Sequence, residues 1–172
     1  MTHKPRLEIE TFMTPSPHSI GADQTLATAH TLMRKHRVRH LPVMLAGRVI
    51  GLVSARDLDY VEALAGVDPE KVTVEDAMSQ EPYCVAPEAP LDDVALEMAR
   101  KRYGCAIVVR GSKLVGVFTT VDGMRVLGEM IRRTTADVPP TPAPRKGAAV
   151  VPAKSSASAK SPRTTTVRKR SK

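Results

Sequence analysis

Apolar residues recur at helical spacing in two stretches of the chain and at strand spacing beside each of them. Leu26, Ala29, Leu32 and Met33 put one apolar stripe on a helix over about 25–37, and Leu91, Val94, Ala95, Met98 and Ala99 put another on a helix over about 91–103. Asp92 and Asp93 open the second helix and Arg100, Lys101 and Arg102 close it, the order that a helix dipole favours. Each helix is followed by two short β-branched runs joined by a glycine-containing turn, which predicts hairpins. The first is 41–45 with 48–53 around Ala46-Gly47, the second 106–109 with 113–119 around Gly111-Ser112. Short extended pieces at 18–20 and 83–86 come before the helices, and further helices over about 55–65 and 120–133 come after the hairpins. Each half of the chain therefore reads β-α-β-β-α.

The halves are copies. Shifted by 65 residues, 6–57 fall on 71–122 without a gap. Nine positions are then identical, among them Met13/Met78, Arg37/Arg102, Gly51/Gly116 and Asp57/Asp122. Others keep their character, such as Ile9/Val74, Thr14/Ser79 and Ser54/Thr119. A duplicated unit that cannot cover its own apolar face packs against its copy. This predicts a pseudo-two-fold molecule of mixed α/β (α+β) class, in which whatever one copy binds has a counterpart position in the other.

Composition narrows the picture. The net charge of +8 is not spread over the chain. Residues 138–172 hold nine Lys/Arg and no Asp or Glu, while residues 1–137 hold 17 basic and 18 acidic residues, a net of −1. The 138–172 stretch is rich in Pro, Ser, Thr and Ala and has no apolar period, so a disordered tail is expected there. The predicted divisions are an arm at 1–7, repeats at 8–66 and 73–137 with a linker at 67–72, and the tail. Cys84 and Cys105 have neither metal-ligand nor redox spacing and read as buried or half-buried thiols in a reducing compartment. No run approaches the roughly 18 apolar residues of a membrane span, and the start lacks a signal sequence, so a soluble cytoplasmic protein is expected. With no Trp, two Phe and three Tyr, the core must be mainly aliphatic.

The chemistry concentrates where the last strand of each copy enters the last helix. Copy one reads Gly51-Leu-Val-Ser54-Ala-Arg56-Asp57, and copy two reads Gly116-Val-Phe-Thr119-Thr-Val-Asp122. A hydroxyl followed three residues later by an acid is capping-box spacing. The same geometry offers free N–H groups and a positive dipole end to a phosphate, and a carboxylate one turn in can accept ribose hydroxyls. The glycine three residues before the hydroxyl lets the strand pass close to a neighbour. His36 and His40 have i,i+4 spacing, but no third ligand lies near them in sequence, so no metal site is assigned. No nucleophile elbow, phosphate-binding Gly-Lys-Ser/Thr loop or paired catalytic carboxylate occurs, and the chain is not read as an enzyme.

Two β-α-β-β-α units, each with a Met-Thr/Ser opening and Gly-x-x-Ser/Thr-x-x-Asp, the first with a His40-Leu41-Pro42-Val43 strand, resemble a tandem pair of CBS domains over about 8–133. The resemblance implies a regulatory module with two clefts between the repeats for adenine-containing ligands: AMP, ADP, ATP, S-adenosylmethionine or a cyclic dinucleotide. It places Ser54, Arg56 and Asp57 on ribose and phosphate in site one, with Thr14, Ile20, His40, Leu41 and Pro42 around the base. In site two it places Thr119 and Asp122, with Ser79, Val85, Cys105, Ala106 and Ile107. The copies are unequal: Val121 stands for Arg56, Ile107 for Pro42 and Gly104-Cys105 for Arg39-His40, so site one is better suited to a charged nucleotide. Gly123, early in the last helix, costs about 1 kcal/mol against Ala. A homodimer through the helices over 91–103 and 120–133 and an effector protein as partner complete this reading. An alternative is a nucleic-acid-associated protein whose tail contacts phosphates while the repeats dimerise.

Overall fold

A computed structural model describes residues 6–135 of the chain. The tail expected at 138–172 lies outside the described residues, and of the arm only Arg6 and Leu7 lie within them. The first copy holds a short 3-10 turn (Ile9–Thr11), β1 (Thr14–Pro15), β2 (Ile20–Gly21), α1 (Leu26–His36), β3 (His40–Leu45), β4 (Arg48–Ser54) and α2 (Ala55–Glu62). The second holds α3 (Val74–Ala77), β5 (Cys84–Val85), α4 (Leu91–Lys101), β6 (Cys105–Arg110), β7 (Lys113–Thr119) and α5 (Thr120–Thr135). The predicted α/β class and the β-α-β-β-α order are both present. Three short elements were not predicted: the 3-10 turn, β1 and α3. The signal for α3 is in the sequence, since Thr73 N and Oγ1 donate to Asp76 Oδ2 at 3.1 and 2.7 Å, a capping interaction at Ser/Thr-x-x-acid spacing.

Duplication extends to fine geometry. α1 and α4 both end on an arginine in the left-handed region, Arg37 at φ 55° and Arg102 at φ 60°. The hairpins share an irregularity, between Val43 and Met44 and between Val108 and Val109. In both, the short first strand runs parallel to the central one: β2 to β3 and β5 to β6.

The sheets are not each built from one copy. One has the order β2-β3-β4; the other has the order β1-β7-β6-β5, so β1 from the first copy pairs with the last strand of the second, Thr14 opposite Val117. The reciprocal contact is a bridge between Ser79 and Leu52. The exchange begins further upstream. Ile9 N donates to Ala89 O at 3.0 Å and Val74 N to Gln24 O at 2.7 Å. Leu91 N donates to Leu7 O at 2.8 Å and Leu26 N to Val72 O at 3.1 Å. Each copy thus sends its opening segment into the other.

Two cores follow from this exchange. Val74 is fully buried with Leu26, Ala29, Met33, Leu41, Val43, Val53 and Leu58. Ile9 is fully buried with Leu91, Val94, Met98, Ala106, Val108, Phe118 and Val126. Both cores are chiefly aliphatic, with Phe118 as the large aromatic. One expectation is corrected: Cys105 is buried, but Cys84 is exposed, because β5 is a two-residue strand at the sheet edge. No helix among the described residues is long and apolar enough to cross a membrane.

Candidate functional site

The paired junctions were singled out by spacing, and the structure shows how each is held. At the start of α2, Ser54 N and Ser54 Oγ donate to Asp57 Oδ2 at 2.8 and 2.7 Å, and Asp57 N donates to Ser54 Oγ at 3.3 Å. At the start of α5, Thr119 and Asp122 repeat this with 2.9, 2.7 and 3.3 Å. Both are closed capping boxes, so one oxygen of each carboxylate is fixed at a helix N-terminus.

The second oxygens differ. Asp122 Oδ1 accepts from Arg125 Nη2 at 3.1 Å, and the same guanidinium nitrogen donates to Phe12 O at 3.3 Å. The position equivalent to Arg125 in the first copy is Tyr60, which is 72% exposed. Asp57 Oδ1 accepts no hydrogen bond among the described residues, and Asp57 is half-buried while Asp122 is buried. Arg125 was not singled out in the sequence. Its i,i+3 spacing from Asp122 was a signal that could have found it.

The flanking strands sort the remaining candidates by face. Leu41 and Val43 point into the first core, and Ala106 and Val108 into the second. Strand alternation turns His40 and Pro42, and likewise Cys105 and Ile107, to the opposite face. That face meets the other copy: a Cβ on Gly104 would stand 2.8 Å from His40 Nε2. β4 and β7 also come together between the copies. Leu41 and Ala106 can therefore present only backbone groups outside their cores. Ile20 is buried in β2 and Val85 is half-buried in β5, while Thr14 and Ser79 are exposed where each copy's opening crosses to the other's last strand; this reverses the expected placement, with Thr14 beside the second junction and Ser79 beside the first. Arg56 is exposed beside Asp57.

Gly51 and Gly116 have the close neighbour that the sequence implied. A Cβ on Gly51 would collide with the sulfur of Met78, and one on Gly116 with that of Met13. The thioether of each opening segment lies against the glycine of the other copy's last strand.

Electrostatics separate the two sites again. Burial pushes the His40 imidazole below its ordinary value near 6.5, Asp57 pulls it back up, and Arg39 and Arg56 push it down. At the equivalent position, burial, Asp122 and Cys84 push the Cys105 thiol up to about 12, so it stays protonated at neutral pH. His36 stacks on His18 with ring centroids 3.6 Å apart, and no group of three metal-ligating side chains occurs among the described residues.

Comparison with known proteins matches this architecture. The family model described as "CBS domain" matches residues 8–61 and 74–129. The chain is similar to inosine-5'-monophosphate dehydrogenase of Korarchaeum cryptofilum, at 27% identity over 114 residues, which are 66% of this chain and 23% of that protein. The chain thus spans less than a quarter of that relative's length. Among solved structures it resembles the AcuB protein from Vibrio cholerae, with a TM-score of 0.69 and 29% identity, covering 78% of this chain and 99% of that one. It also shares the fold of the CBS domain pair of protein MJ0100, solved with 5'-methylthioadenosine and S-adenosyl-L-methionine, with a TM-score of 0.67 and 23% identity over 73% of this chain and 99% of that one. Two matches in tandem, on copies that exchange their opening segments, make this chain a member of the CBS domain family with a pair of CBS domains.

Proposed function

We propose that this CBS pair is a regulatory module, not an enzyme, that binds an adenosyl ligand at the first junction, around Ser54, Arg56, Asp57 and His40. The observation that carries the reading is the unequal engagement of two carboxylates of the same plan. Among the described residues Asp57 keeps an oxygen without a hydrogen-bond donor at a helix N-terminus, whereas Arg125 holds that of Asp122. A ribose diol needs an acceptor that is not already committed, and Arg56 beside Asp57 adds a cation for phosphate. His40 and Pro42, on the face between the copies, would pack on the base beside Ser79, which bridges Leu52 two residues before Ser54, while Ile20, in the first core, would offer backbone alone. The second junction, with Thr119, Asp122, Val85, Cys105, Ala106, Ile107 and the Thr14 that pairs with Val117, would bind more weakly, because a ligand must first displace Arg125. The adenosyl ligands of the MJ0100 CBS pair support the ligand class.

The output would pass to an effector protein or through a homodimer. Leu96 on α4 and Val121 and Met124 on α5 are 69%, 75% and 66% exposed, an apolar surface suited to a second copy. Binding would shift the balance between two arrangements by its differential affinity for them.

A thermal-shift screen of AMP, ADP, ATP, S-adenosylmethionine and a cyclic dinucleotide tests the reading. A ligand at 100 times its Kd should add about 2.7 kcal/mol of stability. Asp57→Ala should remove most of the ligand-induced shift, and Asp122→Ala should leave most of it. Comparing shifts rather than absolute midpoints removes the cost of losing either cap. No shift with any of the five, or a full shift in the double variant, overturns the proposal.

A further inference from the structure

In the second copy, a groove of about 420 Å³ lies between α4 and α5. Phe118 of β7 lines it with Leu91 and Ala95 of α4 and Gly123, Leu127 and Met130 of α5. None of these residues is assigned to either adenosyl junction. We propose that this groove is a separate ligand site, for an uncharged aromatic small molecule.

Three observations support the assignment. The first is that the other copy fills the equivalent place. Shifted by 65 residues, Gly123, Ala95 and Leu127 fall on Leu58, His30 and Glu62. Leu58 is fully buried in the first core, and His30 Nε2 lies 3.0 Å from Glu62 Oε1, which ties α1 to α2. The second copy has glycine for the buried leucine, and Ala95 and Leu127 cannot form the tie. The second is that nothing in the fold requires glycine at 123. Its φ is not positive, and a Cβ there would meet Phe118 at an ordinary 3.7 Å. Glycine weakens the helix relative to alanine, and what it leaves is open space beside the Cζ–Cε1 edge of the Phe118 ring. The third is the charge balance. Arg6 and Asp92 are the charged residues of the lining, and the other side chains are apolar. Arg6 Nη2 donates to Asp92 Oδ2 at 2.7 Å and to Asp93 Oδ1 at 2.8 Å, so the charged end is closed on itself.

These features name the ligand chemistry. A lining whose charges are already paired offers an ion nothing in exchange for its hydration, which selects against a nucleotide. Water against Phe118 finds no side-chain donor or acceptor beside it, so an apolar molecule displaces it favourably. The edge of an aromatic ring carries positive charge and meets the negative face of a second ring, which favours an aromatic ligand over an aliphatic one. The volume lies in the range of small-molecule pockets. The groove is also distinct from the surface proposed above for a second copy. Gly123, Val126, Leu127 and Met130 follow i, i+3, i+4, i+7 spacing along one side of α5, whereas Val121 and Met124 lie on another.

The probe is N-phenyl-1-naphthylamine, an uncharged aromatic molecule that fluoresces in apolar surroundings, titrated into the full-length chain with its position read from methyl NMR shifts. Fluorescence should rise to saturation, with shifts at the methyls of Leu91, Val126, Leu127 and Met130. Gly123→Leu should fill the groove and weaken binding by roughly tenfold or more. An Ala95→His, Leu127→Glu double variant should do the same by rebuilding the tie of the first copy. Both variants install residues that the first copy already carries at these positions, and a melting midpoint no lower than the parent's checks the fold. Val121→Asp, on the other side of α5, should bind the probe as the parent does. No saturable rise, parent-like affinity in both filled variants, or shifts confined to the two junctions overturns the proposal. So does affinity that falls in Val121→Asp together with a change in oligomeric state, which would assign the groove to a copy–copy contact.

Discussion

Four glycines show how one residue type takes opposite roles in a duplicated chain. Gly51 and Gly116 lie where a thioether from the other copy crosses, and a Cβ on Gly51 would also stand 3.0 Å from the Ser79 carbonyl oxygen. Gly51→Ala should therefore cost about 1–3 kcal/mol, the range for an overpacked site. Gly116→Ala should cost less, because its close neighbours all belong to the flexible Met13 side chain. Gly123 and Gly128 lie within α5; a Cβ on Gly123 would meet Phe118 at an ordinary 3.7 Å, and one on Gly128 would meet nothing within 4 Å. Gly123→Ala should thus stabilise the chain by about 0.5–1 kcal/mol through helix propensity. Urea midpoints at unchanged slope distinguish the two signs. His40 adds a pH dependence. Its folded value is held below about 6.5, mainly by burial, so in acid the unfolded chain takes up a proton that the folded chain resists. This share of stability is full above the ordinary value and falls as pH drops below it. His40→Gln should reduce the loss between pH 7.5 and 5; His36, lowered by burial and by His18, supplies a remainder that the variant keeps. An unchanged loss would show that His40 does not contribute.

At the scale of elements, the decisive feature is the exchange of opening segments. Ile9 is fully buried in the second core although it opens the first copy, and Val74 is fully buried in the first core although it opens the second. Ile9→Ala should therefore cost about 2–4 kcal/mol. Its local signature should appear in the copy that receives the side chain: hydrogen exchange should loosen α4 and β6 before α1 and β3. Loosening of α1 first would refute the exchange. The strands, the helices and their order were legible because apolar periodicity is local. The match of Ile9 with Val74 was also legible, but not its consequence. An isoleucine that packs 80 or more residues away leaves no local trace of its destination. α3 was missed for a different reason: its four residues are too few to show a helical period, although its cap was written in Thr73 and Asp76.

At the scale of the whole molecule, two junctions of one plan became unequal. The candidate residues lie on two faces: those on the inter-repeat face can meet a ligand with their side chains, and those facing a core can offer backbone alone. The capping boxes, the need for a close neighbour at each strand glycine and the Val121 that stands for Arg56 could all be read from spacing and the 65-residue offset, but not that the neighbour is the other copy's thioether. That the guanidinium on Asp122 also reaches the Phe12 carbonyl of the other copy required the fold. The sequence by itself determined the duplication, the order of elements and the chemical groups available at each junction, since these depend on residue type and on spacing within a few turns. The tertiary structure alone decided which core receives each opening segment, which junction each opening hydroxyl stands beside and which side chain crosses each strand glycine. Those outcomes depend on contacts between segments far apart in the chain, where the position of a side chain is set by the whole packing and not by its neighbours in sequence.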